Sequence, residues 1–208
     1  MEMSEKQYVW YASYGSNLNR DRFLCYILGG RPEGSEIVEE GCRDKSLPLK
    51  EGTLIMNYPL YFAKDSDRWQ NQGVGFIGLK KDLRIMTYSR KYLITAEQFL
   101  DVVKQENNGA EFEIDLIEVV KKGSNTFKDS WYGTILHIGE EDGWPIFTFT
   151  GDWDLDVPLN SPSKHYLKMI IEGLKKSVKL NDTEIINYLS SKPGIEGSYS
   201  SDDIKNLI

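Results

Sequence analysis

Two stretches of this chain hold residue types that could do chemistry. The first is Tyr14-Gly15-Ser16-Asn17-Leu18. Glycine lets a backbone approach a ligand closely, and Ser and Asn side chains hold a loop by hydrogen bonding. Such a loop exposes several backbone N–H groups and suits a small anion, a carboxylate or a phosphate. Any polar turn between a strand and a helix uses the same residues, so composition leaves both readings open. The second is Glu106. Thr95 and Gln98 have capping-box spacing, which predicts a helix starting there. At about 100° per residue, Phe99, Val102 and Val103 share a face with Glu106 near its centre, while Glu97, Asp101, Lys104 and Gln105 project elsewhere. A carboxylate aimed into a core is costly unless it is paired or functional. Asn107-Asn108-Gly109 reads as the C-cap, so desolvation and the helix dipole both raise the Glu106 pKa, towards general acid–base use. A frayed last turn would instead take the side chain to water.

Other reactive residues fit simpler roles. Cys25 reads as a small core residue on an apolar helix face, though a thiol nucleophile is an alternative. His137 and His165 have no metal-ligand spacing around them, and no metal site is expected. No G-x-S-x-G elbow surrounds Ser16. Gly73 to Gly78 spells G-x-G-x-x-G inside a strand pattern with no helix after it, which argues against a dinucleotide site. Trp69 and Tyr14 could line a pocket or serve as packing.

The elements that would position these residues follow from periodicity. Tyr8 to Ala12 is an apolar run that reads as a buried strand, and Asn19 to Leu28 reads as a helix. Gly29 to Gly34 is a Gly/Pro/Glu-rich surface excursion. Leu54 to Phe62 predicts one strand with a kink or bulge at Pro59, residues 64 to 72 a loop, and residues 73 to 79 and 84 to 94 two further strands. Residues 112 to 120 are read as a strand, as are residues 131 to 136 and 144 to 149, with Glu140 to Gly143 as a hairpin loop. Ser161-Pro162 predicts an N-cap with Pro at the first helical position, and Tyr166, Leu167, Ile170, Ile171 and Leu174 mark one helical face. A last helix is expected over about residues 182 to 191, using Ile185, Ile186 and Leu189. The pattern is α+β, a curved or closed mixed sheet with helices, in a single domain over residues 1–208 with a helical extension from about residue 160.

A net charge of −7 with no long basic cluster disfavours nucleic acid and anionic membranes as partners. No stretch approaches the roughly 20 apolar residues of a membrane span. Met1 to Gln7 lacks a signal-peptide layout, and two cysteines make no disulfide framework, so a cytoplasmic setting is expected.

Tyr11 to Leu18 resembles the opening signature of γ-glutamylcyclotransferase-like proteins. Leu60-Tyr61-Phe62-Ala63 with Trp69 and Gly73-Val74-Gly75 resembles that family's second block, and Asp101 to Glu106 the segment ending in its catalytic glutamate. Pro162 to Leu167, with Ile170 and Gly173, is similar to its C-terminal helix motif. The order and rough spacing of all four agree. The chain departs from the pattern with Asn107 where Gly usually follows the glutamate, with Phe112 near the usual Tyr, and with extra sequence at about 30 to 52 and at the C-terminus.

The resemblance implies a small mixed β-barrel, partly or fully closed and flanked by helices. It also implies an enzyme that cyclises a γ-glutamyl group to 5-oxoproline and releases an amine. Glu106 would then be general acid and base, Tyr14 to Leu18 would bind substrate, and Trp69 and Gly73 are candidates to line the pocket. Such a reaction demands no metal, cofactor or enzyme nucleophile. The expected partner is a small molecule carrying a γ-glutamyl group, and the expected state is monomer or homodimer. The alternatives are a non-catalytic module that keeps the Tyr14–Leu18 anion loop, and an amide hydrolase using Cys25 or Ser16.

Overall fold

The computed structural model describes residues 7–33 and 37–208. The expectations for Met1 to Lys6 and for Gly34 lie outside these residues. Strand β1 (Tyr8–Ser13) occupies the middle of a six-stranded sheet. It pairs antiparallel with β5 (Thr87–Thr95), which pairs with β2 (Lys50–Met56). On its other side β1 runs parallel to β8 (Trp144–Thr150). β7 (Thr134–Glu141) and the short β6 (Ser124–Thr126) come next by antiparallel pairing. The β1 run is apolar throughout because both of its faces are covered: Trp10 and Ala12 enter one core cluster, Val9 and Tyr11 the other. Helices α1 (Arg20–Leu28) and α2 (Ala96–Glu106) cover the second face, while α4 (Lys164–Gly173) and a β3–β4 hairpin cover the first.

The hairpin corrects two expectations. Leu54 to Phe62 is two strands rather than one kinked strand, because Pro59 takes the chain out of β2 into β3 (Leu60–Ser66), which forms a hairpin with β4 (Gln72–Ile77). Nor does a closed barrel form: among the described residues no backbone ladder joins the two sheets. The physical reason lies on the outer edge of β4. Gly75 N–H donates to the Tyr166 hydroxyl (3.1 Å) and Gly75 O accepts from the Tyr132 hydroxyl (3.3 Å). Thr150 Oγ1 accepts from Ile77 N–H (3.2 Å) and donates to Ile77 O (2.8 Å). Side chains meet the backbone groups that a neighbouring strand would otherwise pair. The outer edge of β3 is covered likewise, Phe62 N–H donating to Pro193 O and Phe62 O accepting from Asn160 N–H.

Two helix expectations also change. Residues 112 to 120 are not a strand; α3 (Leu116–Lys122) starts at Asp115, whose side chain caps Ile117 and Glu118 N–H, and stops at Gly123 with φ 81°. The N-cap of α4 is Ser163, which accepts from Tyr166 N–H, and Pro162 lies before the helix. Ser161 and Pro162 instead pair with Gly73 on β4. Helices α5 (Asp182–Ser190) and α6 (Ser201–Lys205) end the chain, and Ile185, Leu189, Ile195 and Ile204 join the main core. No helix among the described residues is long and apolar enough to cross a membrane.

Candidate active site

A cavity of about 500 Å³ opens where the loop after β1, the last turn of α2, the turn Asp67–Trp69 and α4 converge. Tyr14, Gly15, Ser16, Asn17, Trp69 and Glu106 all line it. Leu18 and Gly73 do not. Leu18 is fully buried below the loop, packed on Gly173. Gly73 backs onto Asn160, whose carbonyl oxygen leaves no room for a β-carbon.

The loop is a single tight turn. Leu18 N–H donates to Gly15 O and Asn19 N–H to Ser16 O, each at 3.0 Å, so these two amides are spent inside it. Ser16 N–H turns to the Tyr166 hydroxyl, so the amides that can meet a ligand are those of Gly15 and Asn17. Asn19 then caps α1, its side chain accepting from Asp21 and Arg22 N–H. Asn17 is buried and anchored twice: its carbonyl accepts from the Tyr92 hydroxyl (2.8 Å), and its Nδ2 donates to the Tyr11 hydroxyl (3.3 Å). Its Oδ1 has no partner, which leaves a buried acceptor at a cavity-lining residue.

Glu106 ends α2, and the residues on either side fasten it. Gln105 Nε2 donates to Tyr26 O (3.0 Å), and its Oε1 accepts from Gly41 N–H (3.2 Å), so it grips α1 rather than facing solvent. Asn107 Nδ2 donates to Val103 O (2.8 Å) and Tyr132 O (3.2 Å), and its Oδ1 accepts from Ser130 Oγ (2.6 Å). Asn107 at φ −105° needs no glycine, and its amide ties the helix end to the loop before β7. The last turn therefore does not fray. Burial pushes the Glu106 carboxyl above the ordinary carboxylate range. Arg22, Arg68 and the Tyr26 hydroxyl pull the other way without cancelling it, and Glu39 adds a smaller upward push.

Around Glu106 stand groups that sequence reasoning did not single out. The Arg22 and Arg68 guanidiniums both donate to Glu39 Oε1, at 2.8 and 2.9 Å. Both also donate to the Tyr26 hydroxyl, at 2.9 and 3.1 Å. The Tyr166 hydroxyl accepts from Gly75 N–H and is held by Ser16 N–H, which leaves its proton to donate. Burial raises it to about 12, so it stays protonated at neutral pH. Burial also raises Tyr14 and Tyr132 well above the usual phenol range. A signal for Arg22 was present: it shares the buried stripe of α1 with Phe23, Tyr26 and Ile27. Arg68 sits in the Asp67–Trp69 turn, and Tyr132 sits in a turn, not in the strand expected from residue 131, since β7 starts only at Thr134.

The remaining candidates lie elsewhere. Cys25 is half-buried on a side groove of α1 rather than in the core, and burial raises its thiol pKa. Cys42 is buried. His165 lies on that side groove, and His137 is on β7. Among the described residues no group of three or more His, Cys, Asp or Glu could hold a metal ion.

Over 97% of its length the chain superposes on 98% of a solved γ-glutamyl cyclotransferase, with TM-score 0.53 and 14% sequence identity. The fold is that of the γ-glutamyl cyclotransferases. An uncharacterized protein from Homo sapiens is similar over 97% of this chain and 98% of its own, with TM-score 0.50 and 14% identity. No family model matches the sequence. Histone deacetylase 5 of Arabidopsis thaliana is 33% identical over 205 residues, 89% of this chain but only 31% of that protein. The chain thus spans less than a third of the curated relative it matches. In this γ-glutamyl cyclotransferase-like fold the loop after β1 and the C-terminus of α2 open on one cavity, so the loop residues Gly15, Ser16 and Asn17 and a carboxyl of raised pKa share it.

Proposed function

We propose that the chain is a cyclotransferase acting on a γ-glutamyl compound and releasing 5-oxoproline. The observation that carries this reading is the single cavity shared by Glu106 and the Gly15 and Asn17 amides. The amides take the substrate α-carboxylate. Glu106 removes a proton from the α-ammonium nitrogen, whose lone pair then attacks the γ-carbonyl carbon of the same molecule. Because attack is intramolecular, the protein needs only to hold the substrate folded. The Tyr166 O–H is the donor for the developing oxyanion. As the bond from the γ-carbon to the leaving nitrogen breaks, Glu106 gives its proton to that nitrogen; the re-ionised Glu106 then takes the second proton from the ring nitrogen and passes it to the released amine, which departs as its ammonium. A panel of γ-glutamyl amino acids, peptides and amines, scored for 5-oxoproline by mass spectrometry, tests this. Turnover that is lost in Glu106→Gln supports it, and no product from any member overturns it.

A second reading has one observation in its favour. The similar stretch of the curated relative is less than a third of a longer protein, as a ligand-binding module within a larger chain would be. Thermal stabilisation by 5-oxoproline or a γ-glutamyl compound, with no turnover, would favour that reading.

A further inference from the structure

Tyr26 is buried on α1, one turn from Arg22, and its hydroxyl lies at the centre of a charged cluster. A guanidinium can only donate, and two of them donate to this one oxygen, Arg22 Nη2 at 2.9 Å and Arg68 Nη1 at 3.1 Å. Both lone pairs of the phenol oxygen are thereby used. Its proton must leave in the remaining direction. Tyr26 and Glu106 line the same cavity, and the Tyr26 hydroxyl favours the charged form of Glu106. The Glu39 carboxylate, buried behind the pair, accepts from the same two guanidiniums and fixes their planes.

The geometry points to Tyr26 as a positioning residue: an Arg22–Arg68–Tyr26 hub that aims one phenol O–H at Glu106 and so sets the carboxylate's orientation and charge. This rests on the proposed role of Glu106. The hub couples three separate pieces of chain, namely α1, the Asp67–Trp69 turn and the end of α2. Two cations would ordinarily repel at such proximity. Here Glu39 offsets one charge, and the other remains to favour an ionised Glu106. The other groups that sense the Glu106 charge are Tyr11 from β1, Tyr14, Tyr132 and Tyr166, all phenols held neutral by burial. Tyr26 differs from them in taking its bonds from two cations.

The test compares wild type, Tyr26→Phe and Arg68→Gln. Glu106 titration is followed by carboxyl 13C NMR on protein labelled at Glu, with Glu106→Gln identifying the resonance. This readout needs no activity, so it separates failure of the hub from failure of the proposed reaction. Removing either partner strips support from the carboxylate form, so the Glu106 midpoint should move up by at least half a unit in each variant. Where turnover is measurable, Tyr26→Phe should lower kcat roughly tenfold, the worth of one charge-assisted hydrogen bond, with KM within about twofold. The acid limb of its pH profile should move up as well. A Glu106 midpoint that is unchanged in both variants overturns the proposal. Should Tyr26→Phe fail to fold, Arg68→Gln at the partly exposed cavity lip decides alone, by the same midpoint.

Discussion

The hydroxyl of Tyr166 lies 2.7 Å from the point where a β-carbon on Gly15 would stand. Gly15 has φ −108° and ψ −140°, and crowding by Tyr166 leaves no room for a side chain there. The Tyr166 ring has little room to yield. It packs edge-on against Trp69 at 4.7 Å between centroids, and its oxygen is held by Gly75 N–H.

Gly15→Ala should therefore push the Tyr166 hydroxyl off Gly75 and cost about 1–3 kcal/mol, the usual range for overpacking. Urea unfolding measures this. Adding Tyr166→Phe should recover part of the stability and none of the turnover. Additive losses in the double variant would show that the two residues do not clash.

Glu106→Gln should abolish 5-oxoproline release and also make the protein more stable near neutral pH. The folded-state pKa of Glu106 lies above its unfolded value, so the protonated form favours folding. That contribution is full below the ordinary carboxylate pKa of about 4.3 and is lost as pH rises through the raised one. The variant's advantage in Tm should thus be a few degrees at pH 7–8, at roughly 2–4 °C per kcal/mol, and vanish near pH 4. Scanning calorimetry at several pH values reads it, and equal Tm at all pH would contradict a raised Glu106 pKa.

The same pKa sets the acid limb of activity. Glu106 must be ionised to take the first proton, so kcat should rise with pH through a midpoint above the normal glutamate value. A limb centred near 4.3 would mean that burial does not shift the group in solution.

Asn107→Ala removes the bonds from Nδ2 to Val103 O and Tyr132 O and leaves Ser130 Oγ without an acceptor. A loss of about 1–3 kcal/mol is expected, with slower turnover because the last turn of α2 is freed beside an intact Glu106. Unfolding and steady-state kinetics check the two halves separately.

Gly73→Ala should destabilise strongly, through collision with the Asn160 carbonyl, yet leave KM unchanged in the surviving folded fraction. Gly73 does not line the cavity, so a KM that rises severalfold without loss of stability would contradict this placement.

The helix carrying Glu106 was legible because its signals are local. Thr95 and Gln98 form the capping box, and Phe99, Val102 and Val103 are buried on one face. The strand before the loop and the polar turn into α1 were legible for the same reason. Residues 112 to 120 misled because Glu113-Ile114-Asp115-Leu116 alternates like a strand, whereas the Asp115 cap and the Gly123 stop make Leu116–Lys122 a short helix. Pro162 misled because Ser161 and Pro162 are taken up by pairing with Gly73, a partner far away in sequence.

By itself the sequence determined an anion-suited loop, a carboxyl on an apolar helix face and the strand that leads into the loop. Each comes from the chain's own period and from residues within a few positions of one another. Tertiary structure alone decided that Arg22 and Arg68 meet at the Tyr26 hydroxyl in the cavity that Glu106 lines, that Tyr166 stands over Gly15, and that side chains seal the edge of β4 in place of another strand. Those groups come from separate elements, and only packing of the two sheets and the helices brings them within a hydrogen bond's reach, where orientation and burial set their chemistry.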